Sequence, residues 1–346
     1  METKYERKNV VFFASDAIAL PILETLMSAP LRAWVKIVGI YSQPDRARGR
    51  GQKVSSNPIA QWAKDFNIPL FQPEKLGDED IARLRELRCD IGLVMAYGHI
   101  LKKSLLEVPT YGFYNYHASL LPHYRGPAPI EAAIAANAGG AGVTLQKIVP
   151  ALDQGDIIES AVIPLTQEST RAGLREKISE ACTFITQQAI PAIIKGEVEP
   201  VPQSEKYVSY SRKISRADSA LDFNVEAKIL AARVRALCGW PGCTIPFNGM
   251  ELKLGMVEPV YNIEIREDLK AQMKPGTVYS HDGELYIATS NGFLKILALQ
   301  RPGGRMLPIN IFLTGMKITT GMQIESRPMI PLSRPQPWPL VKKQIS

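Results

Sequence analysis

A dense run of polar and aromatic residues, YNYHASLLPHYRGP, interrupts an otherwise apolar stretch at residues 114–127. Within it Asn115 and His117 stand two residues apart on a predicted strand, so their side chains project from the same face. A carboxamide can donate to a developing oxyanion, and an imidazole beside it can act as a general acid or base. A structural interpretation stays open, in which Asn115 caps a turn and His117 is a satisfied core histidine.

A candidate carboxylate follows in the glycine-containing turn ALDQGD, residues 151–156. From the residues alone, this turn can supply a carboxylate, Asp153 or Asp156, that orients the imidazole. Amide, imidazole and carboxylate together suit acyl transfer without a covalent nucleophile. The three groups have to come from separate parts of the chain, so the elements that carry them decide whether they meet.

Strand and helix patterns alternate through the first 194 residues and predict a doubly wound, mostly parallel α/β sheet. The run DIGLVMA at residues 90–96 is nearly continuous and typical of a strand covered on both faces. Residues 112–116 form a later strand, which brings Asn115 to its carboxyl end. Reactive groups in such a sheet are expected at the carboxyl ends of strands, near the point where strand order reverses.

The alternating pattern stops near residue 201 and predicts a linker at residues 201–207. Beyond it come one helix and short segments of alternating polarity, separated by Asn-Gly and Asp-Gly turns, which predict a small antiparallel sandwich or, preferably, a barrel. The segments lie at residues 244–247, 251–254, 276–279, 285–288 and 293–299. The predicted divisions are residues 1–200, 201–207, 208–330 and an extended or disordered proline-rich tail at 331–346.

Charge is distributed unevenly along the chain. Residues 1–205 hold 22 Lys and Arg against 23 Asp and Glu, net −1, whereas residues 206–346 hold 19 against 11, net +8. This excess predicts a polyanionic partner such as nucleic acid, although solubilising surface charge would look the same. The loop QPDRARGRGQK at residues 43–53 offers guanidinium groups and glycine backbone suited to RNA phosphates, or is a solvated surface loop.

Several classes are excluded by composition. No stretch approaches the roughly 18 apolar residues that cross a bilayer, so we expect no membrane partner and a cytoplasmic protein. The four cysteines, Cys89, Cys182, Cys238 and Cys243, are too few and scattered for a disulfide framework. No histidine lies near the pair at 238 and 243, so we expect no metal.

The run at residues 115–122, followed by Arg125-Gly126 and LDQG at residues 152–155, resembles the catalytic signature of the formyltransferases that use 10-formyltetrahydrofolate. Three further motifs resemble the members of that family that act on methionyl initiator tRNA. They are QPDR with GRG at residues 43–51, AYGHIL at 96–101, and RAL before WPG at 235–242. The resemblance spans roughly residues 10 to 320.

The resemblance implies a Rossmann-like catalytic domain joined to a smaller OB-like β-barrel domain that binds tRNA. It implies transfer of a formyl group to the free amino group of methionyl initiator tRNA, in translation initiation, with Asn115, His117 and Asp153 as catalytic residues. Folate contacts are expected from Ala96, Tyr97, Gly98, Ser119, Leu120, Leu121 and Pro122. Contacts to tRNA are expected from Arg46, Arg48, Arg50 and Lys53.

Two alternatives remain. The same trio could formylate a small amine such as a nucleotide sugar, but such enzymes need no basic second domain. The other alternative is a catalytically silent RNA-binding protein. The presence of the complete set of Asn115, His117 and Asp153 argues against it. The expected partners are initiator tRNA and the folate co-substrate, with no obligate protein partner evident.

Overall fold

Two units make up the chain in the computed structural model, which describes residues 6–48, 53–265 and 273–338, with backbone alone at residues 47, 48 and 53. The first unit holds the described residues of Met1–Gly126, Ala141–Pro164 and Arg175–Ser209. The second holds those of Pro127–Gly140, Leu165–Leu174 and Tyr210–Ser346. The predicted domain and linker boundaries stay a prediction.

A seven-stranded sheet forms the body of the first unit. The strands found here are β1 (Lys8–Ala14), β2 (Val35–Tyr41), β3 (Arg46–Arg48), β4 (Lys53–Ser55), β5 (Leu70–Phe71), β6 (Ile91–Met95), β7 (Phe113–His117), β8 (Gly140–Lys147) and β9 (Ile157–Pro164). The hairpin of β3 and β4 is separate, and the others lie in the order β5-β2-β1-β6-β7-β8-β9. Strand order therefore reverses between β1 and β6.

This sheet is mixed rather than wholly parallel. The five strands from β5 to β7 pair in parallel, whereas β8 pairs antiparallel with β7. After β7 the chain re-enters the sheet from the end at which β7 finishes, so its direction reverses. The prediction of an α/β sheet with mostly parallel pairing is confirmed, with an antiparallel strand added beside β7.

The described residues form eight α-helices, two of which have clear local signals at their ends. They are α1 (Leu20–Met27), α2 (Pro58–Asp65), α3 (Asp78–Glu86), α4 (Lys103–Leu106), α5 (Pro129–Ala135), α6 (Arg171–Lys195), α7 (Ala227–Leu237) and α8 (Ile309–Gly315). For example, the Asn57 side chain accepts from the backbone N–H groups of Ile59 and Ala60 and starts α2, with Pro58 as the first helical residue. Helix α3 carries acidic residues in its first turn and arginines in its last, which matches the helix dipole.

Close packing between β6 and β7 sets the position of the strand that carries the polar cluster. Every residue of β6 is buried, as expected for a parallel strand covered on both faces. At Gly92 an added Cβ would lie 2.1 Å from Cδ1 of Phe113, so only glycine allows this approach. The Phe13 ring lies 5.4 Å from that of Phe113 and stacks on Tyr41 at 4.5 Å between centroids. This aromatic core holds β7 against the sheet.

Short antiparallel strands build the second unit, as the sequence predicts. They are β10 (Tyr210–Ser211), β11 (Thr244–Phe247), β12 (Met250–Leu254), β13 (Val257–Val260), β14 (Val278–His281), β15 (Glu284–Ala288), β16 (Phe293–Ile296), β17 (Ala298–Gln300), β18 (Met306–Pro308) and β19 (Ser333–Arg334). Two four-stranded sheets have the orders β11-β12-β17-β18 and β13-β16-β15-β14. The described residues of this unit are therefore mostly antiparallel β-structure with helices α5, α7 and α8.

Two predicted strand boundaries are wrong. The single strand predicted over residues 293–299 is two strands, β16 and β17, that belong to different sheets. Between them the Leu297 N–H donates to the Met256 carbonyl at 2.9 Å, where the chain passes from one sheet to the other. The strand predicted over residues 276–279 starts only at Val278, because Gly276, with a φ of 87°, turns the chain first.

The proline-rich tail is extended rather than disordered as far as Trp338, its last described residue. Strand β19 pairs antiparallel with β10. The indole N–H of Trp338 donates to the Tyr210 carbonyl at 3.1 Å, and the Arg334 guanidinium lies over its ring, 4.2 Å from the centroid. These contacts attach the tail to the start of the second unit.

Candidate functional site

Asn115 and His117 lie at the carboxyl end of β7. The register of β7 with its antiparallel neighbour places Asn115 opposite Gln146 and His117 opposite Thr144. Residues two apart on a strand share a face, and cross-strand partners share it too. An amide, an imidazole and a second amide from Gln146 therefore gather on one face of the sheet.

The turn between β8 and β9 brings a carboxylate to that face. Asp153 has a left-handed backbone, with a φ of 51°, which is uncommon for a residue other than glycine. The turn closes tightly behind it, since a Cβ at Gly155 would lie 1.6 Å from the Lys147 carbonyl oxygen. Of the two aspartates in the turn, the structure brings Asp153 to the imidazole, with Oδ2 3.7 Å from His117 Nδ1.

Neutral donors hold the Asp153 carboxylate. The Gly126 N–H donates to Oδ2 at 2.8 Å, and Nε2 of Gln146 donates to Oδ1 at 3.2 Å. In the described part of the chain, no guanidinium or ammonium group is bonded to this carboxylate.

His117 is buried, with 6% of its surface exposed, and both ring nitrogens face oxygen atoms. Nε2 lies 3.0 Å from the Tyr124 carbonyl oxygen, which can only accept, so Nε2 carries a hydrogen in this bond. Nδ1 faces the Asp153 carboxylate. When both nitrogens are protonated, the ring can donate to both oxygens. When only Nε2 is protonated, Nδ1 is free to accept a proton. The arrangement can therefore take up and release a proton at Nδ1.

The segment predicted to line the folate site, Ser119, Leu120, Leu121 and Pro122, follows β7 directly. The Ser119 hydroxyl is buried and donates to the His123 carbonyl at 2.6 Å, so its hydrogen is used within the loop. Leu121 is buried, whereas Leu120 and Pro122 are half-buried. A ligand beside this segment would meet mainly apolar side chains.

A second predicted segment, Ala96, Tyr97 and Gly98, follows β6. Ala96 and Gly98 are exposed and left-handed, with φ values of 50° and 87°. The Tyr97 ring is buried instead, edge-on to Phe13 at 5.3 Å, so only its backbone can face a ligand. Beside it the Nδ1 atom of His99 is buried with no hydrogen-bond partner in the described part of the chain.

The predicted phosphate-binding residues surround the β3–β4 hairpin. Arg46 is exposed and forms an ion pair with Glu74 at 3.0 Å. The backbone of Arg48 pairs with that of Lys53. Arg50 and the side chains of Arg48 and Lys53 lie outside what the structure describes. The structure therefore shows the hairpin, but a phosphate-binding surface formed by its four cations stays a prediction.

The root of this hairpin is held by hydrogen bonds. Gln72 and Ser56 each donate to the Asp45 carboxylate at 2.8 Å. These bonds, that of Gln72 first, lower the pKa of the Asp45 carboxyl group. Gln43 Nε2 donates to the Tyr97 carbonyl at 3.1 Å. The hairpin is thus anchored to the segment that follows β6.

Three polar side chains around the Asp153 turn have no role in the sequence-based predictions. Gln146 lies two residues after Thr144 on β8 and therefore on the same face, so the strand periodicity could have indicated it. Arg125 stands inside a quoted motif but without a function. Gln203 lies in the predicted linker and carries no local signal. Yet fully buried Arg125 donates from Nε and Nη2 to Gln203 Oε1, at 3.0 and 2.8 Å.

Metal ligands and membrane spans are two features that the sequence predicts to be absent. Among the described residues, no three His, Cys, Asp or Glu side chains lie close enough to hold a metal ion. All four cysteines are free, and burial raises the pKa of the Cys89 thiol to about 12. No helix in the described ranges is both long and apolar enough to traverse a bilayer. The expectation of a metal-free protein stays a prediction.

Both units match known domains. The first is built on an α/β sheet and the second is mostly antiparallel β-structure. Residues 8–190 match the family Formyl transferase, and residues 213–317 match Formyl transferase, C-terminal domain. The chain belongs to the formyl transferase family.

Relatives of this chain carry the name methionyl-tRNA formyltransferase. The protein from Sulfurihydrogenibium sp. (strain YO3AOP1) is 32% identical over 92% of this chain and 100% of its own length. That from Methylobacillus flagellatus is 33% identical over 90% of this chain and 98% of its own. The structure resembles the N-formyltransferase from Helicobacter canadensis in complex with folinic acid and dTDP-3-aminofucose. The TM-score is 0.63 at 18% identity, over 84% of this chain and 98% of that one, a likeness that shows the fold alone.

Proposed function

We propose that the protein transfers the formyl group of 10-formyltetrahydrofolate to the free amino group of methionyl initiator tRNA, in translation initiation. The observation that carries this is the distance of 3.7 Å between the His117 imidazole and the Asp153 carboxylate, on the face of the sheet that Asn115 shares with His117. Relatives of that name over nine-tenths of the chain support the same reaction.

The chemistry needs an oxyanion donor and a proton relay. When the amine attacks the formyl carbon, a new C–N bond forms and the carbonyl oxygen becomes negative. The Asn115 amide donates to that oxygen, and the positive charge of protonated His117 stabilises it. The attacking nitrogen then loses a proton, the C–N10 bond breaks and N10 gains a proton. His117, held by Asp153, relays it. No covalent bond to the protein is required.

The residues beside β6 and β7 suit a folate co-substrate. The exposed backbone of Ala96 and Gly98 can approach a flat ring closely. When bound, the folate supplies the activated formyl group. We assign its contacts to Ala96, Tyr97 through its backbone, Gly98, Ser119, Leu120, Leu121 and Pro122.

Binding of tRNA is assigned to the basic hairpin and to the second part of the chain. Residues 206–346 carry a net charge of +8, which favours a polyanion. We propose that Arg46, Arg48, Arg50 and Lys53 contact phosphates and that the two sheets of the second unit form an OB-like barrel. A cytoplasmic location accords with this substrate.

The decisive experiment offers the purified protein 10-formyltetrahydrofolate with four acceptors in parallel. They are charged initiator tRNA, charged elongator tRNA, free methionine and a nucleotide-linked amino sugar. We expect formylation of the initiator tRNA to exceed the others by at least an order of magnitude in kcat/KM. Preferential formylation of the sugar, or folate-independent RNA binding with no transfer, would overturn the proposal.

A further inference from the structure

The carboxamide of Gln203 joins the Asp153 turn to buried Arg125. Its Nε2 donates to the backbone carbonyls of Asp153 at 2.9 Å and Gly155 at 2.7 Å. The same atom lies 3.3 Å from Oε1 of Gln146. Its Oε1 accepts both hydrogen bonds from Arg125. Both ends of one side chain are therefore engaged, which fixes its orientation.

The segment that contains Arg125 also contacts the Asp153 carboxylate directly. Its guanidinium is fully buried and also donates to the exposed carboxylate of Glu205 at 3.1 Å. The next residue, Gly126, is the backbone donor to Asp153 Oδ2. Backbone and side chain of Asp153 are thus both held by one short segment and by the glutamine bonded to it.

The turn needs such support because it is conformationally unfavourable. Asp153 is left-handed, and its neighbour Gly155 passes so close to the Lys147 carbonyl that no side chain fits. A left-handed residue other than glycine persists only where surrounding contacts determine it. Two hydrogen bonds from Gln203 to carbonyls of this turn are contacts of that kind.

We propose that Gln203, oriented by Arg125, is a positioning residue that keeps the Asp153 carboxylate at its distance from His117. This rests on the proposed function, because the distance matters only if His117 relays a proton. Displacement of a reacting group by about 1 Å can cost about 10²-fold in rate. Gln203 itself touches no reacting atom, so its loss should act on the chemical step and not on binding.

Replacing Gln203 by methionine tests this, because methionine has similar length but no polar groups. We expect Gln203→Met to lower kcat about 10- to 100-fold. The KM values for 10-formyltetrahydrofolate and charged tRNA should change less than about threefold. Gln61→Met is the matched control, since Gln61 is exposed on α2 and its side chain donates to Asp65 on the same helix. Its kcat should stay within about twofold of the parent.

A double variant separates positioning from general destabilisation. If Gln203 acts through Asp153, then adding Gln203→Met to Asp153→Asn should lower kcat less than about twofold further. Additive losses in the double variant, or an unchanged kcat in Gln203→Met, would overturn the inference. Should Gln203→Met fail to fold, Gln203→Glu serves, since it keeps the acceptor for Arg125 and removes the two donors. Parent protein that forms no formylated tRNA would instead refute the proposed function.

Discussion

Two aspartates, one half-buried in the first unit and one buried in the second, are held in opposite ways. Asp153 in the first unit accepts from a backbone N–H and an amide, and faces an imidazole. Asp218 in the second unit bonds the guanidinium groups of Arg212 and Arg233, the latter at 3.4 Å. Guanidinium partners neutralise a carboxylate and lock it in place. Neutral donors position a carboxylate while leaving its charge available to a neighbour.

The arginines bonded to Asp218 also bind the backbone at residues 330 and 331. Arg212 Nε donates to the Pro331 carbonyl at 2.9 Å, and Arg233 Nη1 donates to that of Ile330 at 3.1 Å. Asp218 itself is almost fully buried, so removing its charge leaves two guanidinium groups poorly compensated. This carboxylate therefore serves stability, and the contrast predicts that variants of the two sites change different quantities.

The largest expected effect is on rate. His117→Ala should lower kcat by at least ~10² and leave tRNA affinity nearly intact, because it removes a proton relay and not a binding contact. Steady-state formylation and a tRNA binding titration measure the two quantities. The matched control is His281→Ala, an exposed histidine of the second unit, which should change neither. Formylation near the parent rate without His117 would end the assignment of this site.

Asp218→Asn should act on stability. Breaking a buried ion pair by removing one partner costs about 3 kcal/mol or more of unfolding free energy. Burial alone would raise the pKa of the Asp218 carboxyl, but the hydrogen bonds and charge of Arg212, with Ser215, lower it below its ordinary value. Its contribution is therefore complete above the ordinary pKa of about 3.9 and is lost as the pH falls through the lower folded value.

Urea unfolding of parent and variant at pH 7 and near pH 3 measures this. The difference in unfolding free energy should shrink at the lower pH, and kcat of folded Asp218→Asn should stay within about twofold. The control is Asp282→Asn, whose side chain is 85% exposed, with an expected change within about 0.5 kcal/mol. A stable Asp218→Asn protein with reduced kcat would reverse the roles assigned to the two aspartates.

The smallest effect concerns the basic hairpin. Replacing Arg46, Arg48, Arg50 and Lys53 by glutamine should weaken tRNA binding and flatten its dependence on salt, by up to about 0.9 in the log–log slope for each phosphate that the hairpin neutralises. Binding titrations at several salt concentrations measure the slope. As a control, four exposed cations elsewhere in the first unit are replaced, namely Arg32, Lys36, Lys75 and Lys177. Equal slopes for both sets would assign the phosphate contacts to the second unit alone.

Part of this site was predictable from short-range pattern. The strand over residues 112–116 and the two-residue spacing of Asn115 and His117 follow from strand periodicity, and the structure has β7 at Phe113–His117. The resemblance picked Asp153 over Asp156, which the residues themselves did not distinguish. The left-handed backbone that directs Asp153 to the imidazole depends on packing of Gly155 against β8, which no local pattern encodes.

Elsewhere tertiary contacts overrode local pattern. Residues 293–299 have the alternation of one strand, yet hydrogen bonding at Leu297 divides them between two sheets. Similarly, the predicted linker has the composition of a loop, but Gln203 within it bonds the Asp153 turn. Composition describes how a segment interacts with solvent on average, whereas a single hydrogen bond depends on where the segment passes.

By itself, the sequence of this protein determined the alternation of strands and helices in the first part of the chain, the antiparallel character of the second unit and the spacing of Asn115 and His117. These depend on periodicity and turn residues within a few positions. Only the tertiary structure decided that Asp153 lies 3.7 Å from the imidazole and that Gln203 and Arg125 support its turn. Those contacts join residues tens of positions apart, and their geometry is set by the packing of the whole sheet.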